Sequence, residues 1–187
     1  MTDTRLPPIP KDAYTDAQRA AHADFTATRK VDFSGPWNVF IRSPELLTHA
    51  QRMGEYLRYR CSLSGRLSEV AILLVARHWT QDYEWGAHRK HALAAGVSEA
   101  TIAAIREGRR PSGLAEDEQA VWDFVTEILN TRRASDTTYA TALGLFGEQG
   151  VIDLCGLVGY YQLLALTMNV ARVAPPAGET PLPRFPE

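Results

Sequence analysis

The sequence predicts an all-α, single-domain helical bundle. Three observations carry that expectation. Capping residues stand at the head of successive stretches, the apolar residues within those stretches keep helical spacing, and no alternating run offers a strand with a partner. The 187 residues suit one domain with a real core. We divide them into an arm over 1–14, a helical domain over 15–173 and a proline-rich tail over 174–187.

Thr15 followed by Gln18 forms a capping box for a first helix over about 16–30. Residues 31–42 read as an irregular connection. Ser43-Pro44 pairs an N-cap with proline at the first helical position and opens a helix to about Arg60. The next helix, about Arg66 to Thr80, is apolar on more than one side through Leu67, Val70, Ala71, Ile72, Leu73, Leu74 and Val75, so it should be buried nearly all round. A helix over about 82–95 is stopped by Gly96, and Ser98 caps a short one ending at Gly108. Leu114 to Thr131 is amphipathic. Ser135-Asp136 starts a seventh helix ending near Gly147, and Gly150 precedes an eighth to about Ala171. The tail, PPAGETPLPRFPE, cannot be helical and is expected either disordered or laid over a neighbour.

Composition excludes several classes. Twenty basic and 22 acidic residues leave a net charge of -2, and no basic stripe of the kind nucleic acid demands is present. Cys61 and Cys155 have no partner at redox or metal spacing, which points to a reducing, cytoplasmic setting. The first eleven residues lack an apolar signal segment. The apolar run from Leu154 to Met168 is bounded by Asp153 and Asn169, too short for a membrane span and better suited to a core helix.

Chemistry concentrates between Glu69 and His91. On a helix Glu84, His88 and His91 fall within roughly 60° of one another. Glu69 begins the preceding buried helix, where a carboxylate must be paired or protonated. Each has a plainer reading: Glu84 and His88 as a surface i,i+4 pair, His91 as a solvated partner of the helix dipole, Glu69 as a salt-bridge anchor, Trp79, Tyr83 and Trp85 as packing aromatics.

These residues resemble the carboxymuconolactone decarboxylase family of the alkyl hydroperoxidase D-like superfamily over about residues 40–170. Arg42-Ser43-Pro44-Glu45-Leu46 is similar to its helix-opening motif, Arg66-Leu67-Ser68-Glu69 to its R-x-x-E start, Tyr83-Glu84-Trp85-x-x-His88 to its W-x-x-H core, and Ala95-Gly96-Val97-Ser98 to the following turn. The resemblance implies an alkyl hydroperoxidase D-like bundle of about seven or eight helices, assembled as homotrimers or homohexamers. The hydroperoxidase branch carries C-x-x-C before its histidine, where this chain has Gln81 and Glu84. Thiol peroxidase activity is therefore expected to be absent, and the pattern is that of the cysteine-free branch.

The implied activity is cofactor-free decarboxylation, or related acid–base chemistry, on a small carboxylated lactone or keto acid in aromatic-compound catabolism. His88 would donate the proton, with Glu84 or Glu69 tuning it. Arg77, Arg42 or Arg89 would grip the acid, with Tyr83 and Trp85 as further substrate contacts. Neither a resident metal nor a cofactor is expected. A metal site on Glu84, His88 and His91, and a non-catalytic member of the same fold, are the alternatives.

Overall fold

The computed structural model describes residues 4–29 and 31–185. The parts of the arm, first helix and tail assigned above to residues 1–3, 30 and 186–187 lie outside the described residues. The helices are α1 (Asp16–Thr28), α2 (Pro36–Phe40), α3 (Pro44–Tyr59), α4 (Gly65–His78), α5 (Asp82–Ala94), α6 (Glu99–Arg106), α7 (Glu116–Thr131) and α8 (Asp136–Ala171). No strand occurs among the described residues, and the architecture is all-helical, as the sequence predicts.

The capping chemistry sets most helix starts. Thr15 Oγ1 accepts from the Gln18 amide while Gln18 Oε1 accepts from the Thr15 amide, and Ser64, Ser98 and Ser135 each cap the helix that follows. Ser43 is different. Pro44 begins α3 as expected, but the Ser43 side chain makes no capping bond. Two other elements also depart from the sequence reading. Residues 31–42 contain the short helix α2, started by Gly35-Pro36. The last two expected helices run on as α8, broken only where Gly147 takes φ 67° and ψ 178°.

Helix α4 is the axis of the bundle. Every residue from Leu67 to Arg77 is buried, because α5, α6, α7 and α8 all pack on it. A helix covered on all sides needs apolar residues on all sides, and the two charged members of the buried stretch, Glu69 and Arg77, must find partners or a polar cavity. Helix α8 is long and apolar enough to cross a membrane by composition, yet slightly over half of its most apolar window is buried inside the fold. It also carries the buried Asp153. These are the marks of a core helix, and its outward face leaves Ile152, Leu163, Leu166 and Val170 exposed.

The tail is laid over the chain's own α5 and α6. The Leu182 side chain is buried, and its amide donates to Asp82 Oδ1 at 2.8 Å. Arg184 pairs with Asp82 at 2.6 Å, Glu179 with Lys90 at 3.0 Å, and Arg106 donates to the Pro181 carbonyl at 2.7 Å. A proline-rich chain makes few internal hydrogen bonds, so most of its carbonyls and amides are free to be used by the helices beneath.

Asp153 ties α8 to the end of α3. Its carboxylate accepts from Tyr56 Oη, the Ser62 amide and Ser62 Oγ, each at 2.8 Å. Burial alone would raise its pKa, but the bonds from Ser62 and Tyr56 outweigh that and hold the carboxyl below the usual range. Its stabilising contribution is therefore full at neutral pH and is lost as pH falls through the folded value. Asp153→Ala should cost about 2–4 kcal/mol in urea unfolding, because three donors lose their acceptor. A cost under about 1 kcal/mol, within the range of an ordinary surface change, would show that the network is dispensable.

Candidate active site

Helices α4 and α5 form a hairpin whose turn, Trp79–Gln81, sets the register of the site. Thr80 sits at φ 46°, and the buried Gln81 caps α5 by accepting from the Tyr83 and Glu84 amides at 2.7 and 3.0 Å. Folding back in this way brings Glu69, near the start of α4, beside His88 in the middle of α5. His88 Nδ1 lies 2.7 Å from Glu69 Oε2, and His88 Nε2 lies 3.4 Å from Glu84 Oε2. All three side chains are buried.

The result is a Glu69–His88–Glu84 chain. With Nδ1–H donating to Glu69, the second ring nitrogen faces Glu84 and can exchange a proton with it. Burial drives the Glu84 pKa up to about 6, against the lowering effect of His88 and Arg58 and with a further push from Glu69. A carboxyl poised there holds or releases its proton near neutrality, the condition for general acid–base catalysis.

The chain opens on a cavity of about 530 Å³, large enough for a small organic molecule. Glu84, His88, Tyr83 and His91 line it from α5, Tyr160, Tyr161 and Leu164 from α8, Arg58 from α3, and Arg29, Asp32, Ser34 and Trp37 from α1 to α2. The Tyr161 ring stands edge-on to His88 with centroids 5.0 Å apart, and burial pushes its hydroxyl well above the usual pKa. Tyr83 Oη lies 2.8 Å from Ser34 Oγ, and its ring passes over Gly35. A Cβ there would sit 2.2 Å from the ring, and Gly35 also has φ 55°, so only glycine fits.

Of the eight residues assigned to the site from sequence, Glu84, His88 and Tyr83 line the cavity and Glu69 supports His88 from behind. The other four lie elsewhere. Trp85 is 1% exposed, in the core, because it falls on the side of α5 turned away from the cavity. Arg77 is at the far end of α4, where its guanidinium stacks 4.2 Å from the Phe185 ring. Arg42 donates to the Asn38 and Pro7 carbonyls at 2.8 and 2.5 Å. Arg89 faces Glu179 of the tail at 3.8 Å. The cations that reach the cavity are instead Arg29 and Arg58.

His91 is exposed at its edge, 5.6 Å from the His88 ring. Burial, then Arg58 and His88, lower its pKa. Among the described residues no group of three histidine, cysteine, aspartate or glutamate side chains is placed to hold a metal. Each His88 nitrogen already faces a carboxylate. Neither Cys61 nor Cys155 lines the cavity. No periodicity marked Arg29 or Arg58, whereas the Tyr160-Tyr161 pair in an otherwise aliphatic stretch was a visible signal.

A buried Glu–His–Glu chain at the floor of an open polar cavity is an arrangement chemically able to exchange a proton with a small molecule bound there. Residues 44–127, a little under half of the chain, match the carboxymuconolactone decarboxylase family. No curated protein matches the chain. The match covers α3 to α7 and so includes Glu69, Glu84 and His88, but leaves out α1, α2 and α8.

Glu84 gives a test with a definite sign. Below the ordinary value of 4.5 both folded and unfolded chains carry its proton; above about 6 both have lost it, and the folded chain bears a buried charge. Stability from this group is therefore present at low pH and lost as pH rises through that window. Glu84→Gln should raise stability at neutral pH by on the order of 1–2 kcal/mol, with the gain vanishing below about pH 4.5. A thermal-melting series across pH that shows a constant difference, or a loss at neutral pH, would contradict the raised pKa.

Proposed function

We propose that the protein is a cytoplasmic, cofactor-free carbon–carbon lyase that decarboxylates a small carboxylated lactone or keto acid, in the breakdown of aromatic compounds. One observation carries the reading: the buried Glu69–His88–Glu84 chain lies on the floor of a cavity that also presents two arginines. The family name supplies the reaction class.

Decarboxylation breaks the bond between the α carbon and the carboxyl group, and the electron pair flows toward the neighbouring carbonyl as carbon dioxide leaves. The carbon then takes a proton and the carbonyl re-forms. His88, held by Glu69 at Nδ1 and facing Glu84 at Nε2, would supply it. Both electrons come from the broken bond, so the step needs no redox partner. The same groups can move a proton next to a carbonyl without loss of carbon dioxide, which makes isomerisation the neighbouring chemistry.

His88→Gln keeps a polar side chain within reach of Glu69 and should leave the fold largely intact. Turnover of a carboxylated lactone should fall by about 10²-fold or more, the usual share of a positioned acid. Full activity with this variant would reject the assignment. Activity that simply tracks the folded fraction would favour a structural role.

Assembly as a homotrimer or homohexamer belongs to the same proposal. It is supported by the outward face of α8, where Ile152, Leu163, Leu166 and Val170 recur at heptad-like spacing around Gly156 and Gly159. Light scattering at micromolar concentration should give a multiple of the 20.8 kDa chain, reduced by Ile152→Glu with Leu166→Glu. A wild-type mass near 20.8 kDa would exclude it.

A further inference from the structure

The cavity has a second wall whose hydrogen-bond donors face no acceptor. Tyr160 is 2% exposed, and its hydroxyl has no partner. Arg29 is 7% exposed; one terminal nitrogen donates to the Gln51 carbonyl at 3.1 Å, while the buried Nε has no partner. Arg58 makes no ion pair or side-chain hydrogen bond among the described residues, and its guanidinium stacks at 5.6 Å on the Tyr59 ring. Orphaned buried donors cost free energy; two of them, beside the half-buried Arg58 guanidinium on the same cavity wall, mark a place where an acceptor belongs.

Their spacing agrees. A methyl group built on Gly54 would stand 2.1 Å from Tyr160 Oη and 3.1 Å from Arg29 Nη1, so these two groups lie side by side, packed against the bare backbone of Gly54, which has no side chain to displace them. Arg58 bears electrostatically on Glu84, His91, Tyr160 and Tyr161, which sets it between this wall and the proton-transfer chain. The competing carboxylates do not neutralise the wall: Asp32 is exposed at the rim, Glu84 is engaged with His88, and Glu55, which feels Arg29, is paired with Arg60 at 2.7 Å.

We infer that Arg58, Arg29 and Tyr160 form a carboxylate-binding subsite that fixes the acid group retained by a small keto or lactone acid, leaving its carbonyl end toward His88 and Glu84. The inference rests on the reaction class proposed above. Charge leaves the scissile carboxylate as carbon dioxide departs, so clamping that group between cations would stabilise the ground state and slow the step. Clamping the group that keeps its charge orients the substrate without that cost. Arg29 and Tyr160 also lie outside the stretch matched by the family, so the subsite is a specificity element added by the flanking helices.

The test is calorimetric titration of the full chain with levulinate, a small keto acid, and with its neutral methyl ester. Levulinate should bind saturably and the ester far more weakly. Arg58→Gln and Tyr160→Phe should each weaken levulinate binding at least about tenfold, the size of a lost charge-assisted hydrogen bond. His88→Gln should retain it. Tyr160→Phe removes a hydroxyl with no internal partner, so its melting temperature should not fall. Equal binding of acid and ester, wild-type affinity in both wall variants, loss confined to His88→Gln, or no saturable binding would each overturn the subsite. Because binding is read without turnover, a protein that binds levulinate in this pattern yet decarboxylates nothing would refute the lyase reading alone.

Discussion

The hydrogen bond between Glu69 and His88 is the constraint from which the rest of the site follows. Glu69 lies in the most enclosed helix of the bundle, where an unpaired carboxylate would be very costly. The α4–α5 hairpin meets that demand by placing an imidazole against it at 2.7 Å. Fixing Nδ1 in this way turns the other ring nitrogen toward the cavity, and Glu84, one helical turn earlier, meets it there. A packing requirement and a chemical capability are thus satisfied by the same three side chains.

Much of the fold was legible because helices announce themselves locally. Thr15, Ser98 and Ser135 bond to amides two or three residues on, so sequence spacing nearly determines the contact. The unbroken apolar run of α4 likewise announced a helix covered on all sides. Helix α2 was not legible: at five residues it is too short for a periodic signal, and Trp37 and Phe40 hold it to the core rather than any propensity. Gly147, read as the end of one helix, does leave helical geometry at φ 67° and ψ 178°, and helix resumes directly beyond it, so the two expected helices are joined across a kink rather than by a loop.

The site divides along the same line. Glu84 and His88 are neighbours on one helix, and their shared face follows from 3.6 residues per turn. The choice of arginine does not. Arg77, Arg42 and Arg89 lie close in sequence to the motif, but which cation enters a cavity depends on how α1, α3 and α8 are brought against α5. Trp85 shows the same limit within a single turn, since its direction is set by which side of α5 is covered.

The strap laid across α5 carries a consequence for the order of events in folding. Asp82, at the head of the helix that bears His88, is secured by Leu182, a contact spanning 100 residues. Tyr160 and Tyr161, which close the cavity, come from a helix almost as distant in the chain. During synthesis Glu69, Glu84 and His88 therefore emerge long before the segments that enclose them, and loop closure over such spans is slow compared with helix formation. Through that interval α4 and α5 can pair as a local hairpin, with the buried carboxylates still open to water and a functional pocket not yet in existence.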